Sequence, residues 1–172
     1  MSIRTLATVA ALAAATAALA QSADVRYPDG FRSQSHVTTG LVTPGFMFNG
    51  VDLGAAVPGL HTIYANGAAW QGYRRLQNGQ PGFADGSVIT FDLWAPGTLQ
   101  SGTGSFTFPQ QRLAVAVMAK DSKKYAATGG WGFQVFDPVN RTPLLDAAAQ
   151  QQCFGCHQVT PGTDFVFSRV AN

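Results

Sequence analysis

The chain contains no glutamate; all nine acidic residues are aspartates. The commonest long carboxylate is therefore missing from any set of catalytic bases. Lysine is nearly as scarce, confined to Lys120, Lys123 and Lys124, and charged residues of every kind make up only 12% of the 172 residues. A net charge of +2 spread over scattered arginines gives no basic patch to neutralise phosphates, which argues against nucleic acid as a partner. Sparse charge also leaves no steering patch for a docking redox protein. Beyond the first twenty residues no run approaches the ~18 consecutive apolar residues of a spanning helix, so the exported product is expected to be soluble and free of the membrane.

The one long apolar run is N-terminal. Arg4 precedes an Ala/Leu/Val-rich stretch from Leu6 to Ala20 that ends in Ala18-Leu19-Ala20, the basic region, apolar core and small-residue cleavage site of a secretory signal. Residues 1–20 are expected to be removed before Gln21, delivering a periplasmic protein. An uncleaved anchor is the alternative, disfavoured because the run is alanine-dominated and interrupted by Thr8 and Thr16. Residues 21–172, about 150 in all, are the size that one hydrophobic core serves, so a single domain is expected.

Gly and Pro recur about every ten residues and punctuate short runs rich in branched and aromatic side chains. Strands are predicted over His36–Val42, Leu60–Tyr64, Ser87–Trp94, Arg112–Ala119 and Gly132–Phe136, with turns at Gly30, Gly45, Gly59, Asp85-Gly86 and Gly129-Gly130. Helical spacing appears in Ala68–Gln77 and in Pro143–His157, the second capped by Asn140 or Thr142. Leu99–Phe108, with Gly102 and Gly104 among Ser and Thr, reads as a flexible loop, and Thr163–Val170 as a final short strand. The fold class is mainly β (α+β): an antiparallel sheet with a few short helices.

Cys153-Phe154-Gly155-Cys156-His157 uses every cysteine in the chain. On one helical turn, thiols three residues apart can reach two vinyl groups on one edge of a porphyrin, while the next residue presents an imidazole to iron. A thioredoxin-like pair should open a helix after a strand, whereas this one closes a helix near the C-terminus. Zinc needs a fourth ligand, and the remaining histidines, His36 and His61, are isolated. A structural disulfide does not call for the adjacent histidine. One haem c, covalently attached through Cys153 and Cys156 with His157 as proximal ligand, fits best. Met47, Met118, His36 and His61 are the candidates for a sixth iron ligand, and packing roles compete with ligation for each of them.

The sequence resembles the cytochrome P460 family, which includes the cytochromes c′-beta. The likeness covers nearly all of the mature chain. It is carried by Tyr27-Pro28-Asp29-Gly30-Phe31-Arg32, Ser35-His36-Val37, Gly59-Leu60-His61-Thr62-Ile63-Tyr64-Ala65-Asn66 and Asp85-Gly86-Ser87-Val88-Ile89. It continues through Lys120-Asp121-Ser122-Lys123-Lys124-Tyr125, Thr128-Gly129-Gly130-Trp131-Gly132-Phe133 and the haem motif to Thr163-Asp164-Phe165-Val166-Phe167. The resemblance implies a mostly antiparallel β fold, frequently dimeric, with one five-coordinate haem whose proximal ligand matches His157. It also divides the chemistry. Some members oxidise hydroxylamine with a haem cross-linked to a lysine; others lack the cross-link and bind nitric oxide or carbon monoxide under a phenylalanine cap. Phe91 matches the cross-linking lysine, and Asp92 or Asp121 are the only substitutes for the distal glutamate of the enzymes. Phe91 is thus expected to line the haem pocket, with Phe46, Phe48 and Phe83 as further candidates. Binding of a small diatomic or nitrogen-oxide ligand is the leading expectation. Hydroxylamine oxidation, and plain electron transfer to a partner cytochrome, are the alternatives.

Overall fold

Period-2 patterning puts successive side chains on opposite faces of a strand, and here both faces are apolar. In the computed structural model, which describes residues 25–80 and 82–171, the chain runs β1 (Ser35–Val42), β2 (Met47–Phe48), β3 (Val51–Asp52), α1 (Leu53–Ala56), β4 (Gly59–Ala65), α2 (Gly67–Gln77), β5 (Val88–Ser101), β6 (Gly104–Lys120), β7 (Trp131–Phe136) and α3 (Ala147–His157). The expected signal peptide lies outside the described residues. Five strands form one antiparallel sheet in the order β1-β4-β5-β6-β7, and β2 pairs with β3 in a separate hairpin. The mainly β, α+β reading is correct.

Directly opposed residues of an antiparallel pair share a face. On one face, Ala65, Ile89, Met118 and Phe133 form a row, with Ile63, Phe91, Ala116 and Val135 in the next. The first row is sealed by Ala69 and Tyr73 of α2, Phe154 of α3 and Val166 of the tail. On the opposite face Val115, Val117 and Phe136 are covered by Val25, Tyr27 and Phe31 of the N-terminal segment and by Tyr125. Gly132 makes the second packing possible: a Cβ there would lie 2.4 Å from the Tyr125 ring. Gly132→Ala is expected to destabilise the fold by about 1–3 kcal/mol through overpacking, measured by urea unfolding; an unchanged midpoint would refute this packing.

Three sequence expectations need correction. Helix α3 starts at Ala147, not at Pro143. Asp146 caps it, accepting from the Ala149 amide at 2.9 Å, while the preceding residues are tied to β7 through the Phe136–Pro143 bridge and the Leu144 amide to the Val135 carbonyl at 2.8 Å. Leu99–Phe108 is not a loop but part of a ribbon. β5 and β6 pair continuously out to Ser101 opposite Gly104, with Leu99 facing Phe106 and the Phe106 and Phe108 rings stacked at 5.8 Å. The tail from Thr163 is not a strand: Pro161–Thr163 is a 3-10 turn, and Asp164 and Phe165 then take φ of 52° and 64°, which no strand accommodates.

Candidate haem site

Helical spacing places Gln150, Cys153, Phe154 and His157 on one side of α3. Phe154 and Gln150 are buried, Cys153 packs against the core, Cys156 is exposed, and both thiols are free. His157 Nδ1 donates to the Phe165 carbonyl at 2.6 Å. A carbonyl can only accept, so the proton sits on Nδ1, and Nε2 keeps its lone pair with no hydrogen bond among the described residues. Burial holds the pKa of His157 below its ordinary value, which favours the neutral imidazole that metal ligation requires. Two aromatic rings orient it: Phe133 at 5.0 Å and Phe167 at 4.8 Å between centroids. Phe167 in turn meets Phe48 at 5.4 Å, and Asn49 donates to the Val159 carbonyl, which docks the β2–β3 hairpin beside the end of α3.

On the helix-covered face, the sheet is sealed along the Met118 row and opens along the next two. Phe91, Ala116 and Val135, then Leu93 and Ala114, are only half-buried, although their strand neighbours Asp92, Val115 and Val117 on the other face are buried. The row that begins the opening is adjacent to Phe133, which touches His157. These half-buried, flat or small apolar side chains make an open stretch of sheet face, the bay, that begins one row from Phe133 and so from the end of the Cys-x-x-Cys-His helix. Two free thiols one turn apart and an imidazole with a free lone pair, beside apolar surface, fit a covalently held haem. No group of three or more His, Cys or Asp side chains gathers among the described residues.

The residues nominated for a sixth ligand are dispersed. Met118 is 4% exposed in the sealed row, and Met47 is 55% exposed on β2. His36, on the edge strand β1, shares a hydrogen bond with Thr39 Oγ1. Of the two histidines only His61 shares the bay's face, in the row of Leu93, with its ring 6.0 Å from Phe91, and its Nε2 donates to the Val57 carbonyl at 2.7 Å. Burial pushes the pKa of His61 down from 6.5. The folded state therefore resists a proton that the unfolded chain accepts below about pH 6.5, and stability is lost as pH falls from there toward the lowered folded value. His61→Gln is expected to flatten that decline in chemical denaturation at pH 7.5, 6.5 and 5.5; identical slopes would show that His61 contributes nothing to it.

Neither aspartate that could replace a distal glutamate reaches the bay. Asp92 points to the opposite face, where Arg112 and Arg32 hold it, and Asp121 caps the turn after β6 by accepting from the Lys123 and Lys124 amides. Phe83 is a core residue edge-on to Tyr73 and Trp131, and Phe46 is exposed. Sequence reasoning missed Phe133 and Phe167, whose place in aromatic alternation was legible. It also missed Phe165, which acts through a main-chain carbonyl and so leaves no side-chain signal.

Fold and site together define a class: an antiparallel β protein that offers a helix-borne Cys-x-x-Cys-His near an open apolar sheet face, the arrangement of a c-type haem protein. The family model described as Cytochrome P460 matches residues 28–168, and the chain belongs to that family. It is a haem cytochrome of the P460 kind. A comparison with curated proteins finds no match.

Proposed function

We propose that this is a periplasmic mono-haem cytochrome that binds a small nitrogen-oxide or diatomic ligand, with haem c attached through Cys153 and Cys156 and iron held by His157. The observation that carries the reading is the composition of the bay: Phe91, Leu93, Ala114, Ala116 and Val135 supply neither a lysine nor a carboxylate. A haem held by Cys153, Cys156 and His157 would supply an iron able to bind a small ligand. The chain's part is to present neutral His157 through Nε2, to keep water and anions out with apolar side chains, and to place no strong donor of its own in competition. His61, with its Nε2–H committed to Val57, lies at the edge of this surface as a neutral group.

Lysine placement weighs against the hydroxylamine-oxidising alternative. Lys120 faces the same side of the sheet, but beside Trp131 in the row beyond the sealed one, where Asp164 and the Gly129 carbonyl hold its ammonium. Lys123 and Lys124 sit in the turn after β6. The optical spectrum of the purified ferrous protein tests the reading: a high-spin c-type Soret band that shifts on adding nitric oxide is expected. A ferrous Soret band near 460 nm, the signature in the family's name, would establish the cross-linked enzyme instead; a low-spin spectrum indifferent to nitric oxide would leave electron transfer.

The partner we propose is a second copy of the chain, meeting at the β5–β6 ribbon. From Ala95 to Gln111 there is no charged side chain, and Leu99 and Phe106, opposed on one face, are 60% and 63% exposed. A two-fold contact brings like residues together, so an uncharged apolar ribbon suits self-association and lacks the charges that normally protect a free strand edge. Light scattering after gel filtration is expected to give a dimer for the natural chain and a monomer for Phe106→Asp. A monomeric natural protein, or a variant that stays dimeric, would overturn this assignment.

A further inference from the structure

Asp164 and Phe165 are consecutive residues with a Cβ that both hold left-handed backbone, φ 52° and 64°. Such a conformation persists only where surrounding contacts impose it. Those contacts converge on Asp164. Its Oδ1 accepts from Lys120 Nζ at 2.7 Å and its Oδ2 from the Phe83 amide at 3.0 Å, while its main-chain carbonyl accepts from Trp131 Nε1 at 2.8 Å. Lys120 Nζ also donates to the Gly129 carbonyl at 3.0 Å and lies 4.9 Å from the Trp131 ring centroid. The Phe165 ring is then clamped edge-on to Phe154 at 5.3 Å and close against Gly129, where a Cβ would come within 2.5 Å of it. What this left-handed pair determines is the direction of one carbonyl, the Phe165 oxygen that accepts from His157 Nδ1 at 2.6 Å.

We propose that the Lys120–Asp164 ion pair is a positioning device for His157: it holds the Phe165 carbonyl as a close acceptor and thereby sets how strongly the imidazole donates to haem iron. The inference rests on ligation of iron by His157, as proposed above. An acceptor at Nδ1 draws its proton outward and leaves more electron density at Nε2, which strengthens the iron bond and favours the ferric state. Without the ion pair the tail is free to relax toward ordinary φ values, and the carbonyl turns from the ring. The sealed Met118–Phe133 row separates the pair from the bay, so it acts on His157 through the Phe165 carbonyl.

Resonance Raman spectra of the ferrous holoprotein, free of added ligand, read the iron–histidine stretch directly. Asp164→Asn removes the charge while keeping a residue that tolerates left-handed backbone, and Lys120→Met keeps an apolar stem over Trp131. Each is expected to move the stretch to lower wavenumber and the reduction potential upward, and the double variant is expected to move no further than either single. Lys123→Met, outside the device, should leave both unchanged. A stretch at the natural position in fully haem-loaded Lys120→Met would overturn the proposal, as would shifts that add in the double variant; Lys120→Met decides alone if Asp164→Asn fails to retain haem. An absent iron–histidine band in the natural protein is a separate result, which removes His157 as ligand and this inference with it.

Discussion

Replacing Cys153 and Cys156 together by serine is expected to abolish covalent haem retention: acid–acetone extraction should strip the variant of haem, whereas the natural protein keeps all of it. The expectation follows from where the thiols stand. Both are free and one helical turn apart on α3, which holds the sheet chiefly through Phe154 and Gln150. Cys153 and Cys156 are the only cysteines in the sequence, so no other thiol can take over the bonds. Each single variant should retain one link and resist extraction, with a shifted pyridine haemochrome band that reports the unsaturated vinyl group. His157 is left in place in these variants, so any haem still bound before extraction measures what ligation and the apolar bay achieve unaided. A double variant that withstands acid–acetone would place the covalent attachment elsewhere and sink the assignment.

The second large effect is on stability and lies on the opposite face. Asp92 is 2% exposed and accepts from Arg112 Nε at 2.5 Å and Nη2 at 2.9 Å, and from Arg32 Nε at 3.0 Å and Nη2 at 2.9 Å. Both guanidinium groups also lie over the Phe31 and Trp94 rings, which removes water from one side of them. Asp92→Ala leaves mostly buried Arg112 without its counter-charge, and breaking such a pair costs about 3–5 kcal/mol. That is a large share of the ~5–15 kcal/mol that holds a domain together. Arg32→Ala removes a half-exposed partner and leaves Arg112 in place, so it should cost no more than ~1 kcal/mol. Guanidinium unfolding of the two variants side by side distinguishes the cases, and equal losses would mean that Asp92 is not the centre of the network. The same geometry explains why Asp92 makes a poor distal base: its carboxylate is already neutralised, on the wrong side of the sheet.

The elements were legible where their signal is local. Five strands were marked by branched and aromatic residues between glycine turns, and α2 by the recurrence of Trp70, Tyr73 and Leu76; each appears where expected, but β5 runs on from Trp94 to Ser101 and β6 starts at Gly104 instead of Arg112. The misreadings share a cause. Gly102 and Gly104 suggested a loop because their neighbours are polar, but polar threonines pair as well as any in a two-stranded ribbon. Pro143 suggested the first turn of a helix, but a proline is equally at home beside a strand edge, and Asp146 is the better cap. In the tail, alternation of Phe165, Val166 and Phe167 imitates a strand, whereas the contacts of Asp164 with Lys120, Phe83 and Trp131 bend the chain instead. Those partners are remote in sequence.

By itself the sequence marked the candidate haem motif: Cys153, Cys156 and His157 fall within about one helical turn, so their spacing carries the signal without help from the rest of the chain. It also determined which chemistries lack material, since a chain without glutamate and with three clustered lysines has few bases or amines to offer. Only the tertiary structure decided which face each residue serves. A strand's pleat separates Phe91 from Asp92 although they are adjacent, sending one to the bay and the other to a buried ion pair, and strand register alone selects between those outcomes. The partner of His157 was likewise a matter of tertiary structure, because a main-chain carbonyl carries no residue code and points where the surrounding contacts turn it.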